Sequence, residues 1–262
     1  KYVNEGGGLV LKLRSVRYAN DDDEKYWNLV VKRFGVQILH EGVFDPANQA
    51  DSEMLPGRTG KFFYTRNIVA HPVTQNAKGL WLPILSYYPN AGTPALQYGP
   101  EWTVLVKGEA TARSCKSHEQ QNVLDVAQEG AYKSEPLIVA VRDLGKGRIV
   151  SIPVDPIFTG MNYKNPNWSH IVEDQGDPKS GKASDMMKLM ADAVAWTAEP
   201  ARQNPALGTR VAEPYAPVKF PEAYAWGRFK TSETGVIGAH SSYADGEGSV
   251  ADYAKAAKAA DL

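Results

Sequence analysis

The sequence predicts an α/β protein, and two observations carry that prediction. Short apolar runs of strand type recur at Leu9–Leu13, Val36–Leu39, Trp102–Val106, Leu137–Val141 and Ile149–Ile152. Two other stretches repeat apolar residues at helical spacing: Tyr26, Trp27, Val30, Val31 and Phe34, then Met186, Leu189, Met190, Ala193 and Val194. Strand-type and helix-type patterns in one chain are what a sheet covered by helices requires.

The chain is large enough for this. Its 262 residues make one large or two ordinary domains with ample core. Lys+Arg 29 against Asp+Glu 30 leaves a formal net charge of -1, so no electrostatic footprint for nucleic acid or an anionic membrane exists. A composition of 43% hydrophobic and 23% charged residues is that of a globular protein. No apolar run approaches the roughly 18 residues that span a bilayer. The single cysteine, Cys115, excludes an intrachain disulfide and a multi-thiolate zinc site.

Element by element, Tyr2–Glu5 reads as the last turn of a helix stopped by Gly6-Gly7-Gly8, followed by the strand Leu9–Leu13. The helix through Tyr26 and Phe34 stops at Gly35. Residues 41–60 are rich in Gly, Pro, Asp and Asn and read as a long surface loop, after which Phe62-Phe63-Tyr64 and Ile68-Val69-Ala70 resume the core pattern. Gly145-Lys146-Gly147 is a hairpin turn between the strands Leu137–Val141 and Ile149–Ile152. The clearest helix starts near Ser184 and runs to Trp196. Pro200, Pro205, Pro214, Pro217 and Pro221, interleaved with Tyr215, Phe220, Tyr224 and Trp226, mark an extended linker over 199–234. Ser249–Leu262 is an Ala-rich helical run. The helix-end at the start and the uncapped helix at the finish lead us to expect an internal fragment of a longer protein.

Four segments carry a family resemblance: Tyr2-Val3-Asn4-Glu5-Gly6-Gly7-Gly8-Leu9-Val10, Ala70-His71-Pro72-Val73-Thr74, Gly145-Lys146-Gly147-Arg148-Ile149-Val150 and Asp192-Ala193-Val194-Ala195-Trp196. In this order they resemble class I glutamine amidotransferase-like domains of the trehalose-utilisation type. The resemblance covers residues 1–198 and implies a flavodoxin-like sandwich whose first elements precede Lys1. Enzymes of that class use a cysteine on a glycine-flanked elbow with a histidine base. Cys115 lies in Arg113-Ser114-Cys115-Lys116-Ser117-His118-Glu119, without elbow glycines, and reads as an ordinary loop cysteine. We therefore expect no catalytic residue in this domain.

A second resemblance begins at Gly235. Gly235-Val236-Ile237-Gly238-Ala239-His240-Ser241-Ser242-Tyr243-Ala244-Asp245-Gly246, followed by the Ala-rich helix, is similar to the opening of a PHP (polymerase and histidinol phosphatase) domain. That family is a distorted barrel and hydrolyses phosphoesters with divalent ions such as zinc, manganese or iron. The resemblance assigns metal-ligand positions to His240 and Asp245. Gly238 stands where the family has a first histidine, so that ligand is missing. None of these ions is expected to be held by residues 235–262 alone, because two side chains rarely hold a divalent ion.

For ligand binding the candidates are His71 beside Pro72, and Asp155, Trp168 and His170 within the Gly/Pro/Asn-rich segment 153–181, which also carries Glu173 and Asp174. Long irregular loops at strand ends are where α/β domains bind small molecules. Two functions follow. One is a metal-dependent phosphoesterase with a non-catalytic amidotransferase-like accessory domain. The other is a catalytically inactive ligand-binding or interaction protein. The partner in either case is a small molecule or phosphoester, and a homo-oligomer is compatible with both.

Overall fold

The computed structural model describes residues 1–14, 22–55, 58–85, 92–117, 124–155, 158, 170–204, 251, 252, 255 and 258. The chain divides into two compact units, Lys1–Arg210 and Val211–Leu262. In the second unit, Ala251, Asp252, Lys255 and Lys258 have helical backbone, within the expected Ala-rich helix.

The first unit opens with a 3-10 turn, Val3–Glu5, which ends where Gly6 adopts a left-handed φ of 115° and its N–H donates to the Val3 carbonyl. Strand β1 (Gly8–Lys12) follows, then helix α1 (Asp22–Val31) and a 3-10 turn closed by Gly35 at φ 74°. Eight strands come next in unbroken sequence: β2 (Val36–Phe44), β3 (Gln49–Leu55), β4 (Arg58–Thr65), β5 (Leu80–Pro83), β6 (Pro94–Tyr98), β7 (Thr103–Lys107), β8 (Arg113–Ser117) and β9 (Leu124–Glu129). The hairpin β10 (Leu137–Leu144) and β11 (Gly147–Ile152), α2 (His170–Glu173) and α3 (Met186–Gln203) complete the unit.

Among the described residues three sheets form, in the orders β1-β11-β10-β7, β6-β2-β8-β9 and β3-β4-β5. The fold is mixed α/β. In the first sheet β1 runs parallel to β11, in register from Gly8↔Arg148 to Lys12↔Ile152, and β11 pairs antiparallel with β10. The expected hairpin is present, with Gly145 at φ 63° in its turn. α3 lies over β1 and β11. It buries Met186, Leu189 and Ala193 among Val150, Ile152, Val154 and Phe158. Residues 9, 11 and 13 of β1 and its extension face the other way, toward Val31, Val36, Ile38 and Leu96. The parallel pair is thus buried on both faces, each fully buried Leu or Ile stabilising the fold by about 1.5–3 kcal/mol.

Five expectations need correction. Residues 41–60 are not a surface loop: they hold the end of β2, all of β3 and the start of β4. Composition misled because Asp51 and Lys61, paired across β3 and β4 and 3.5 Å apart, occupy exposed strand positions. The turn residue Asp45 is fully buried, yet its carboxylate accepts from Thr111 Oγ1 at 2.7 Å and the Ala47 N–H at 2.9 Å. Cys115 is no loop residue but sits inside β8. Val69 and Ala70 are exposed. On α1, Tyr26, Trp27 and Val30 face solvent, because the helix is fixed instead by Asn28, whose side chain exchanges two 2.9 Å hydrogen bonds with the Ile38 backbone. α3 also passes residue 198 and continues through Pro200 to Gln203.

Candidate functional site

At the carboxyl end of the parallel pair, β1 leads through Leu13 to Arg14 and β11 leads through Val154 to Asp155. Leu13 N–H donates to the Ile152 carbonyl at 3.1 Å, so the two chains stay paired past the last strand residues. Asp155 is only 8% exposed, and its Oδ2 lies 3.8 Å from Arg14 Nη1. Side chains alternate along a strand, which puts Lys12 and Arg14 on the same face as Val10. Val10 packs against the core cluster that includes Val150 and Leu189, and α3 lies over β1, so this is the face that α3 covers. Burial holds the Lys12 amine below its ordinary pKa, against the pull of Asp155 and of Glu173 from the end of α2. Arg14 and Asp155 thus pair at a strand end, where open α/β sheets bind ligands, with Lys12 two residues before Arg14 on the same strand face.

The sequence-expected residues are divided by this geometry. Asp155 belongs to the cluster. His170 opens α2, with its Nδ1 3.3 Å from Gln175 Nε2. Trp168, His240 and Asp245 lie outside the described residues. His71 is at the opposite end of β11: its Nδ1 accepts the Val73 N–H at 3.1 Å and its ring meets Trp196 edge-on at 5.2 Å. Burial lowers its pKa and Arg148 lowers it further, while Asp143 opposes. Lys12 and Arg14 were missed from sequence, although a lysine interrupting the apolar run Leu11-Lys12-Leu13 was a visible signal.

An open cavity of about 480 Å³ lies between the β3–β4 hairpin and the turn at Asp177–Ser180. Its turn is closed from within, since the Asp177 carboxylate takes the N–H groups of Lys179 at 3.2 Å and Ser180 at 2.9 Å. Burial raises the Asp177 pKa, but these bonds outweigh it and leave the group below its usual value.

The four segments that carried the first resemblance meet at one place, the amino end of β11. Lys146 N–H donates to Asn4 O at 3.0 Å and Arg148 N–H to Gly7 O at 3.3 Å. A Cβ on Gly8 would strike the Thr197 carbonyl, and one on Gly147 would strike those of Val3 and Gly7. Arg148 lies 4.7 Å over the Trp196 ring and His71 meets the same ring. These contacts are backbone packing and stacking.

Cys115 is fully buried, and burial pushes its thiol pKa up, the reverse of what activates a nucleophilic cysteine. Among the described residues no three His, Cys, Asp or Glu side chains group as a metal site, and no helix is long and apolar enough to cross a membrane.

No protein-family model and no curated protein matches the chain. One solved structure, the cytoplasmic protein STM1381 from Salmonella typhimurium LT2, aligns at 19% identity with a TM-score of 0.34, over 77% of this chain. The chain spans 57% of that protein's length. A TM-score of this size carries no argument about fold or site.

Proposed function

We propose that the Lys1–Arg210 unit is a non-catalytic, amidotransferase-like binding domain of the flavodoxin-like kind. Its ligand is a small polar molecule taken at the carboxyl ends of β1 and β11. The observation that carries this is the pairing of Arg14 with the mostly buried Asp155 at that strand end, beside Lys12 on the same face of β1. The inaccessible, unactivated Cys115 supports a domain without amidotransferase chemistry. The whole protein is then a PHP-type metal-dependent phosphoesterase, in which His240 and Asp245 would serve as ligands and the bound ions would activate water. The likeness of residues 235–262 to that family supports this part.

Gly238 favours a second reading, in which the second unit has lost its metal chemistry and the protein only binds. The test is hydrolysis of p-nitrophenyl phosphate by the natural full-length protein with manganese or zinc. Activity abolished by His240→Ala and by Asp245→Ala, and untouched by Cys115→Ser, is the expected result. A full-length protein without metal-dependent hydrolysis that still binds small polar molecules would establish the second reading.

A further inference from the structure

We infer that the cavity between the β3–β4 hairpin and the turn at Asp177–Ser180 is a saccharide-binding cleft, in which Asp51 and Lys61 together hold two neighbouring hydroxyls of a neutral sugar. This cleft shares no lining residue with the strand end at Arg14 and Asp155, and it goes beyond the reading given above.

Both walls are fixed before a ligand arrives. On one side β3 and β4 pair in register from Gln49↔Phe63 through Asp51↔Lys61, and the fully buried Phe62 and Phe63 anchor β4 in the core. The Lys61 carbonyl also accepts the Ile84 N–H at 2.8 Å. On the other side the turn is braced from within: Asp177 N–H donates to the Lys182 carbonyl at 3.1 Å, and Gly181 N–H to the Asp177 carbonyl at 3.0 Å. The indole N–H of Trp81 donates to that same Lys182 carbonyl at 2.8 Å. Trp81 belongs to β5, the strand beside β4, so hairpin and turn are tied to one sheet. The gap of about 480 Å³ between them is preformed, and a ligand entering it has little protein to order.

The lining selects the class of ligand. The formal charges of Asp51, Asp177, Lys61 and Lys179 cancel, so an anion meets carboxylates and a cation meets ammonium groups. Gln49 and Ser180 add an amide and a hydroxyl, and Ala50 is the one apolar side chain among the described lining residues, so a hydrocarbon gains little here. A hydroxyl both donates and accepts. Asp51 Oδ1 and Lys61 Nζ lie 3.5 Å apart, an acceptor beside a donor. A vicinal diol answers both: one hydroxyl donates to the carboxylate and the next accepts from the ammonium group. The pair is half exposed on each side, so it contributes little by itself and opens to a ligand at small cost. Sugars are the neutral molecules that carry such diols in series, and the open side of the cleft leaves room for further sugar units.

The experiment screens the intact protein against an array of neutral mono- and oligosaccharides and titrates the sugars retained by saturation-transfer NMR, with inorganic phosphate and glycine as charged and zwitterionic competitors. At least one neutral sugar should bind. Asp51→Ala and Lys61→Ala should each weaken it about tenfold, the loss of a hydrogen bond to a charged group, while leaving the urea midpoint of the protein in place. Arg14→Ala should leave sugar binding unchanged. An array without a bound neutral sugar overturns the inference, as does sugar binding that survives both Asp51→Ala and Lys61→Ala, or displacement of the sugar by phosphate or glycine. Binding lost in Arg14→Ala but kept in Asp51→Ala would put the sugar at the strand end, removing this cleft and leaving the other site standing.

Discussion

Arg148 Nη1 donates a 2.9 Å hydrogen bond to the main-chain carbonyl of Trp196. In a regular helix that carbonyl would take the N–H of residue 200, but residue 200 is a proline inside α3 and has none. The arginine supplies the missing donor from β11. Its guanidinium stacks on the Trp196 ring and pairs with Glu199, so one side chain ties the last turns of α3 to the sheet.

This substitution of side chain for backbone gives the first prediction. Arg148→Ala should destabilise the first unit by about 1–3 kcal/mol, because it leaves a helix carbonyl without a partner and removes a cation–π contact. Adding Pro200→Ala should recover part of that loss by restoring an N–H at residue 200. A double-mutant cycle in urea measures the coupling. Equal costs of Arg148→Ala with and without Pro200 would show that the carbonyl is not the point of action.

Glycine at positions 8 and 147 is demanded by close approach rather than by turn geometry. Gly8→Ala should cost about 1–3 kcal/mol, since the Thr197 carbonyl opposite belongs to a packed helix and cannot yield cheaply. Gly181 is the control: its φ is 69° but nothing lies within 4 Å of a Cβ there, so Gly181→Ala should cost about 1 kcal/mol from backbone conformation alone. Denaturation midpoints of the two variants decide the order.

Those glycines show which parts of the structure were legible in the sequence. Tyr2–Gly8, Gly145–Arg148 and Asp192–Trp196 stood out because close backbone packing restricts residue type, and the strands β1, β10 and β11 and helix α3 fell where periodicity put them. Strand β3 and the start of β4 stayed hidden because one-sided burial gives exposed strands a loop-like composition. The charged strand end was only half visible. Asp155 announced itself in an irregular loop, whereas Lys12 and Arg14 sit among buried leucines, where a charge is easily taken for a solvated edge position. Nothing in the local sequence states that Asp155 pairs with Arg14; that is set by the parallel pairing of β1 with β11.

Cys115 gives a prediction about reactivity. It lies in β8, opposite Gly42 and Glu129, fully buried and with its thiol pKa raised. Reaction with a disulfide reagent should be slower by orders of magnitude in the native protein than in denaturant. Cys115→Ser should cost about 1–3 kcal/mol by placing a hydroxyl in an apolar site, without creating or removing glutamine hydrolysis. Rapid native labelling would contradict the burial.

The last prediction concerns His71 and acid. Its folded pKa lies below the unfolded value of about 6.5, because burial beside Trp196 and the neighbouring Arg148 charge both disfavour the imidazolium, with Asp143 opposing them. Above the unfolded pKa both states hold the neutral ring, and its contribution to stability is fully present. As pH falls, the unfolded chain takes up the proton first, so stability is lost from about pH 6.5 downward until the folded ring is protonated as well. Protonation also places a hydrogen on Nδ1, the atom that accepts the Val73 N–H, so the loop loses that bond at the same time. The melting temperature of the natural protein should therefore fall more steeply between about pH 7 and pH 5 than that of His71→Asn, which has no proton to gain. Parallel pH profiles for the two proteins would show that His71 does not titrate in this window.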